Sequence, residues 1–131
     1  MWDAYVHRPH TVFAGATGDV ACDHYHRMPQ DVALMKELGL RSYRFSISWP
    51  RVLPAGRGRP NAKGLGFYDR LVDHLLAAGI VPNGTLHHWD TPQALHERGG
   101  WVRRESVDWL ADYARLMFEQ LGDRVALWST H

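Results

Sequence analysis

Gly39-Leu-Arg-Ser-Tyr-Arg-Phe-Ser-Ile-Ser-Trp49 and Gly79-Ile-Val-Pro-Asn-Gly-Thr-Leu-His-His-Trp89 share one plan, each running ten residues from a glycine to a tryptophan. A chain that leaves a helix for a strand often turns through a left-handed residue, which glycine adopts without a Cβ clash. Helical patterns precede both glycines. Val32, Leu34, Met35 and Leu38 recur at helical spacing before Gly39, with Pro29 placed near the first turn. Tyr68, Leu71, Val72, Leu75 and Leu76 share one helical face before Gly79. Leu110, Tyr113, Ala114, Met117 and Leu121 do the same before Gly122, a third unit of the same kind. Strands are expected over 41–49, 80–89 and 124–130. The glycines at 39, 79 and 122 repeat at a period of about forty residues. Strands alternating with helices of this length imply right-handed crossovers and a parallel sheet, so the fold class is α/β. A unit of this size suits a (β/α)8 TIM barrel, whose eight units need roughly 250 residues. Three parallel strands with alternating helices make only part of one. A doubly wound open sheet is the rival, but no G-x-G-x-x-G follows any expected strand.

Composition narrows the function classes. The 131 residues are 45% hydrophobic and 22% charged, which describes one globular domain or a piece of one. Lys and Arg number 15 against 14 Asp and Glu, so binding to nucleic acid or a membrane surface through bulk charge is not expected. No apolar run approaches the roughly 18 residues of a membrane span. The start, Met1-Trp2-Asp3-Ala4-Tyr5, lacks the pattern of a secretory signal, and a cytoplasmic location is the default expectation. Cys22 is the single cysteine, forms no internal disulfide, and is expected to be a small buried hydrophobe. Six Trp, five Tyr and four Phe supply enough apolar surface for a core. Residues 50–63 form a long Pro-, Gly- and Arg-containing connection, the mark of an exposed functional loop or an ordered rim. Thr91 and Pro92 signal a short helix start, as N-cap and first residue.

Period-two alternation in the first strand places Ser42, Arg44, Ser46 and Ser48 on one face and Tyr43, Phe45 and Ile47 on the other. Inside a barrel, Arg44 would lie among serines, where an unpaired guanidinium is costly and needs an anionic partner. On an edge strand it would instead snorkel to water. The stretch Leu86-His87-His88-Trp89-Asp90 puts two imidazoles, an indole and a carboxylate at the C-terminal rim, where barrel active sites are built. An indole face beside polar donors suits a sugar ring. The plainer alternative makes Trp89 a packing residue and hydrogen-bonds the histidines to backbone. His24 and His26, with His87 or His88, form a weak candidate metal set. Glu37, Glu97, Glu105 and Glu119 are the only glutamates, and all fall in expected helices rather than at a strand end.

Thr17-Gly-Asp-Val-Ala-Cys-Asp-His-Tyr-His-Arg27, Tyr43-Arg-Phe-Ser-Ile-Ser-Trp-Pro-Arg51, Thr85-Leu-His-His-Trp-Asp-Thr-Pro-Gln-Ala-Leu95, Gly99-Gly-Trp101 and Trp128-Ser-Thr-His131 together resemble glycoside hydrolase family 1, the β-glucosidases. The resemblance covers nearly the whole chain and implies a (β/α)8 barrel that hydrolyses β-glycosides with retention through two glutamates. It implies that His88 and Trp89 bind the sugar and that Arg44 orients the nucleophile. It implies a β-glycoside as substrate, and neither a metal nor another cofactor is expected. The family's acid/base glutamate follows the Trp128–His131 segment in an Asn-Glu-Pro motif, and its nucleophile lies much later. Neither is among these residues, so residues 1–131 are expected to be a fragment without the first strand and the C-terminal units, with no catalytic residue and no activity alone. A non-catalytic or partner-completed carbohydrate-binding module is the alternative, and a metal-dependent hydrolase on His24, His26 and His87 a further one. Open sheet edges imply self-association. Asn83-Gly84 replaces the bulky residues usual in the family, which lowers strand propensity and removes core volume.

Overall fold

A computed structural model describes all residues 1–131. The elements run α1 (Trp2–Val6), α2 (His24–Glu37), β1 (Ser42–Ser46), α3 (Trp49–Val52), α4 (Ala62–Ala77), β2 (Val81–Thr85), α5 (Gln93–Glu97), α6 (Ser106–Leu121) and β3 (Leu127–Ser129). The strands form one parallel sheet in the order β1-β2-β3, with Arg44 opposite Asn83 and Gly84 opposite Trp128. Helices alternate with these strands as the repeat requires. No helix is long and apolar enough to cross a membrane.

One face of the sheet is covered by helices. Phe45, Ile47, Ile80 and Leu86 from the strands and their flanks are buried with Leu71, Val72 and Leu75 of α4 and Tyr113, Met117 and Leu121 of α6. Gly39 and Gly79 both adopt left-handed backbone, at φ +73° and +76°, as the helix exits demand. Gly122 does not. Its φ of −67° keeps the helical conformation, and the chain leaves α6 through the Asp123-Arg124 turn. Arg124 there reaches Asp69 and Asp73 of α4, each at 2.6 Å, pinning the approach to β3 against the neighbouring helix.

Several local expectations are corrected. The strands are shorter than the apolar runs that contain them, and Trp49 begins α3 instead of ending β1. Pro29 is the sixth residue of α2, which starts at His24 behind a left-handed Asp23. The short helix after the second strand begins one residue late, with Pro92 at the N-cap position. Cys22 is exposed. The connection over 50–63 is an ordered rim: Val52 and Leu53 are buried, and Asn61 caps α4 by accepting from the Lys63 N–H while donating to the Arg51 carbonyl.

Candidate functional site

Backbone pairing continues past the formal strand ends. The N–H of Ile47 donates to the Thr85 carbonyl at 2.9 Å, that of Leu86 to Ser129 at 2.9 Å, and that of His87 to Thr130 at 3.2 Å. These bonds align Ser46, His87, His88 and Trp89 along the C-terminal rim. Two tyrosines reach the rim from the helices. Tyr113 Oη donates to the Leu86 carbonyl at 2.9 Å, and Tyr68 Oη accepts the Ser48 N–H at 2.7 Å. Burial raises both phenol pKa values, so each remains protonated. The buried Trp49 ring stacks on Tyr113 at 4.7 Å and anchors the rim from below.

The predicted residues separate into two neighbouring groups. Arg44, Ser46 and His88 border one cavity, where Ser46 Oγ and His88 Nδ1 lie 2.9 Å apart. Arg44 is exposed on the strand face turned away from the helices, and no carboxylate pairs with it. Asn83 Oδ1 and Thr85 Oγ1, at register positions beside Arg44 and Ser46, are buried without a partner. Trp89 turns the other way. It borders a second cavity with Trp2, His87 and Trp101 and is 69% exposed, so it is not a core packing residue. Its φ of +72° is a left-handed conformation that costs a bulky residue of the order of 1–3 kcal/mol, and such strain concentrates at functional sites.

His87 is held by side chains as well as backbone. Its Nε2 lies 3.2 Å from Thr91 Oγ1, which also accepts the Trp101 indole N–H at 3.0 Å. Nothing in the spacing of Thr91 and Trp101, ten residues apart, signals this bridge. Burial lowers the His87 pKa, with a smaller push from His131, so the ring is neutral. Asp90, next along the rim, accepts the Trp2 backbone N–H at 3.2 Å and serves as a structural acceptor.

His24 and His26 do not join His87. His24 lies 2.6 Å from Asp31 and His26 2.6 Å from Asp23, and the three rings do not gather within reach of one ion. The trio that does gather is Asp3, His7 and Asp19, all exposed. Glu37, Glu97 and Glu119 lie in helices and Glu105 at a helix start, so no two carboxyl groups face each other across either cavity.

A parallel sheet backed by alternating helices, with imidazole, indole and guanidinium groups at its C-terminal rim, is part of a (β/α)8 barrel of the enzyme-bearing kind. Residues 1–131 match the model of Glycosyl hydrolase family 1, and the chain belongs to that family. It is 53% identical over 131 residues to β-glucosidase A of Acetivibrio thermocellus, covering 100% of this chain and 29% of that relative. It is 54% identical over 130 residues to β-glucosidase A of Thermotoga maritima, covering 99% of this chain and 29% of that one. The solved structure of the Thermotoga maritima β-glucosidase with a methoxycarbonyl-substituted glucoimidazole superimposes with a TM-score of 0.97 over 99% of this chain and 30% of its own. The chain thus spans under a third of the length of the relatives it matches.

Proposed function

We propose that residues 1–131 supply three of the eight units of a retaining β-glucosidase, beginning after the first strand. The observation that carries this is the pairing of His88 with Ser46 beside an exposed, unpaired Arg44 on one face of the rim. In this reading His88 donates to a hydroxyl of the glycone, Trp89 offers an indole face to the sugar, and Arg44 pairs with the nucleophilic carboxylate. Relatives named β-glucosidase at 53–54% identity support the β-glucoside as substrate class.

Retention requires two carboxyl groups about 5–5.5 Å apart, one protonating the leaving oxygen and one attacking the anomeric carbon. No carboxyl group lines either cavity, and Asp3 and Asp19, whose oxygens approach within 4.8 Å, are exposed and border neither, so both catalytic groups come from outside these residues. Arg44 is then a positioning residue: a cation beside the nucleophile keeps it ionised and aimed.

The test is a graft. Residues 1–131 replace the matching segment of the Thermotoga maritima β-glucosidase, and hydrolysis of an aryl β-glucoside is followed. The expected outcome is turnover with retention, reduced about 10- to 100-fold by His88→Ala, the worth of one hydrogen bond that strengthens toward the transition state. The ungrafted 131-residue chain is expected to show none. An inactive graft, or full activity with His88→Ala, overturns the assignment.

A further inference from the structure

Ser46 Oγ and His88 Nδ1 lie 2.9 Å apart, and neither atom has another hydrogen-bond partner in the protein. The two residues reach each other from neighbouring strands. Ser46 closes β1, and His88 follows the end of β2. Ser46 is paired with Thr85 in the register, and the bond from the Ile47 N–H to the Thr85 carbonyl at 2.9 Å holds that register at the rim. Both residues are exposed. An exposed imidazole turns about its two side-chain bonds, and the second of these has a broad, roughly two-fold preference that exchanges Nδ1 with a ring carbon. The Ser46 hydroxyl is the one hydrogen-bonding group that selects among these orientations.

With Nδ1 taken by Ser46, Nε2 is the ring nitrogen left for a ligand. It has no partner within the protein. His88 and Ser46 both border the cavity of about 350 Å³ that Arg44 also lines, so a ligand in that cavity meets the ring beside its anchor. No carboxylate lines this cavity to compete for a proton on Nε2.

We propose that Ser46 is a positioning residue, whose hydroxyl engages Nδ1 of His88 and so commits Nε2 to the glycone. This rests on the proposed donation from His88 to a sugar hydroxyl. Taken by itself, a hydroxyl facing a ring nitrogen bonds in either direction. Donation to the sugar places the proton on Nε2, so in the neutral ring Nδ1 accepts and Ser46 donates. A ring held before the sugar arrives spares the rotamer freedom that binding would otherwise remove.

The test has a kinetic and a spectroscopic arm. In the active graft, Ser46→Ala is expected to lower kcat/KM for an aryl β-glucoside about three- to tenfold, the worth of one side chain no longer held in advance. Ser46→Thr, which keeps the hydroxyl, is expected to stay near the unaltered value. In a His88→Ala background, Ser46→Ala is expected to cost nothing further, because a residue that acts through another has no effect once that other is gone. The spectroscopic arm reads the ring directly and needs no activity. Long-range ¹H–¹⁵N spectra of the 131-residue chain with labelled histidine side chains, taken at about pH 8 where imidazole is neutral, are expected to show His88 protonated at Nε2. Ser46→Ala is expected to mix the two tautomers at His88 while His87 keeps its pattern. An Nδ1–H tautomer at His88 in the unaltered chain, or losses from Ser46→Ala and His88→Ala that add in full, overturns the positioning role. An unchanged kcat/KM in Ser46→Ala with a lowered one in His88→Ala overturns it alone. If His88→Ala lowers nothing, the sugar-binding reading falls with it.

Discussion

Gly84 decides how the middle strand packs. A residue without a side chain weakens a strand, yet β2 forms, because the Trp128 ring from β3 covers the space that a side chain would fill. A Cβ built at Gly84 would lie 3.0 Å from Trp128 Cζ3 and 3.2 Å from Cε3, and Trp128 is held from behind by an edge-on contact with Phe118 at 4.8 Å. Gly84→Ala is therefore expected to lower stability by about 1–3 kcal/mol through overpacking, read as a shift in the urea midpoint. Two histidines titrate with opposite sign. Burial lowers the His87 pKa, so below pH 6.5 the unfolded chain takes up a proton more readily and stability falls as the pH falls toward the folded value. His7 is raised, by the Asp3 carbonyl first and Asp19 next, and its contribution is present below pH 6.5 and lost as the pH rises through the folded value. Denaturation midpoints measured from pH 5 to 7 are expected to lose their acid-side slope in His87→Phe, and a slope unchanged by that substitution would assign it to other groups. If Arg44 pairs with the nucleophile as proposed, Arg44→Met in the active graft is expected to move the acid limb of the kcat/KM profile to higher pH, because a carboxylate that loses a neighbouring cation is harder to ionise. At this scale the sequence exposes residue types and strand faces but not burial: Cys22 is apolar in character yet exposed, and Thr91, which reads as a helix cap, instead bridges Trp101 and His87.

Helices α4 and α6 were legible because both carry an unbroken apolar stripe, which only a helix can bury on one side. The strands were legible in existence and order and overlong in extent. Their apolar runs continue into rim segments where backbone bonds persist but strand geometry ends, and alternation alone does not distinguish the two. The start of α2 was hidden for another reason: Asp23 stands at its N-cap but turns its carboxylate to His26 instead of capping the helix, and Pro29 lies inside the helix at the cost of one backbone bond. The coupling between helix and rim was not legible at all, since it depends on one hydroxyl. Tyr113 on α6 donates to the carbonyl that precedes His87. Tyr113→Phe leaves that buried carbonyl unmet and is expected to cost about 1–3 kcal/mol in urea unfolding. Amide exchange at His87 and His88 is expected to rise by more than the global loss of stability accounts for. Uniform loosening across α6 and the sheet would show that the tyrosine supports the fold generally and not the rim.

A compact monomer of 15.0 kDa exposes about 7,000 Å². This chain exposes 8346 Å², and part of its exposed apolar surface lies where the barrel plan leaves it. The outer edges of β1 and β3 have no neighbouring strand, and the face opposite the helices carries Val81 at 42% and Leu127 at 50% exposure beside the unmet Asn83 and Thr85 oxygens. Uncovered parallel edges are templates for another chain, since their N–H and C=O groups gain partners only by pairing. The 131-residue protein is accordingly expected to associate with itself, its sedimentation mass rising between low and high micromolar concentration and its thermal transition broad. Leu127→Lys puts a charge on the β3 edge and removes exposed apolar surface, and is expected to shift the mass toward the monomer without altering α4 or α6. A monomer at every concentration with a sharp, cooperative melt would mean that the helix-covered face alone stabilises the three-unit sheet. The open edges would then carry no drive to pair.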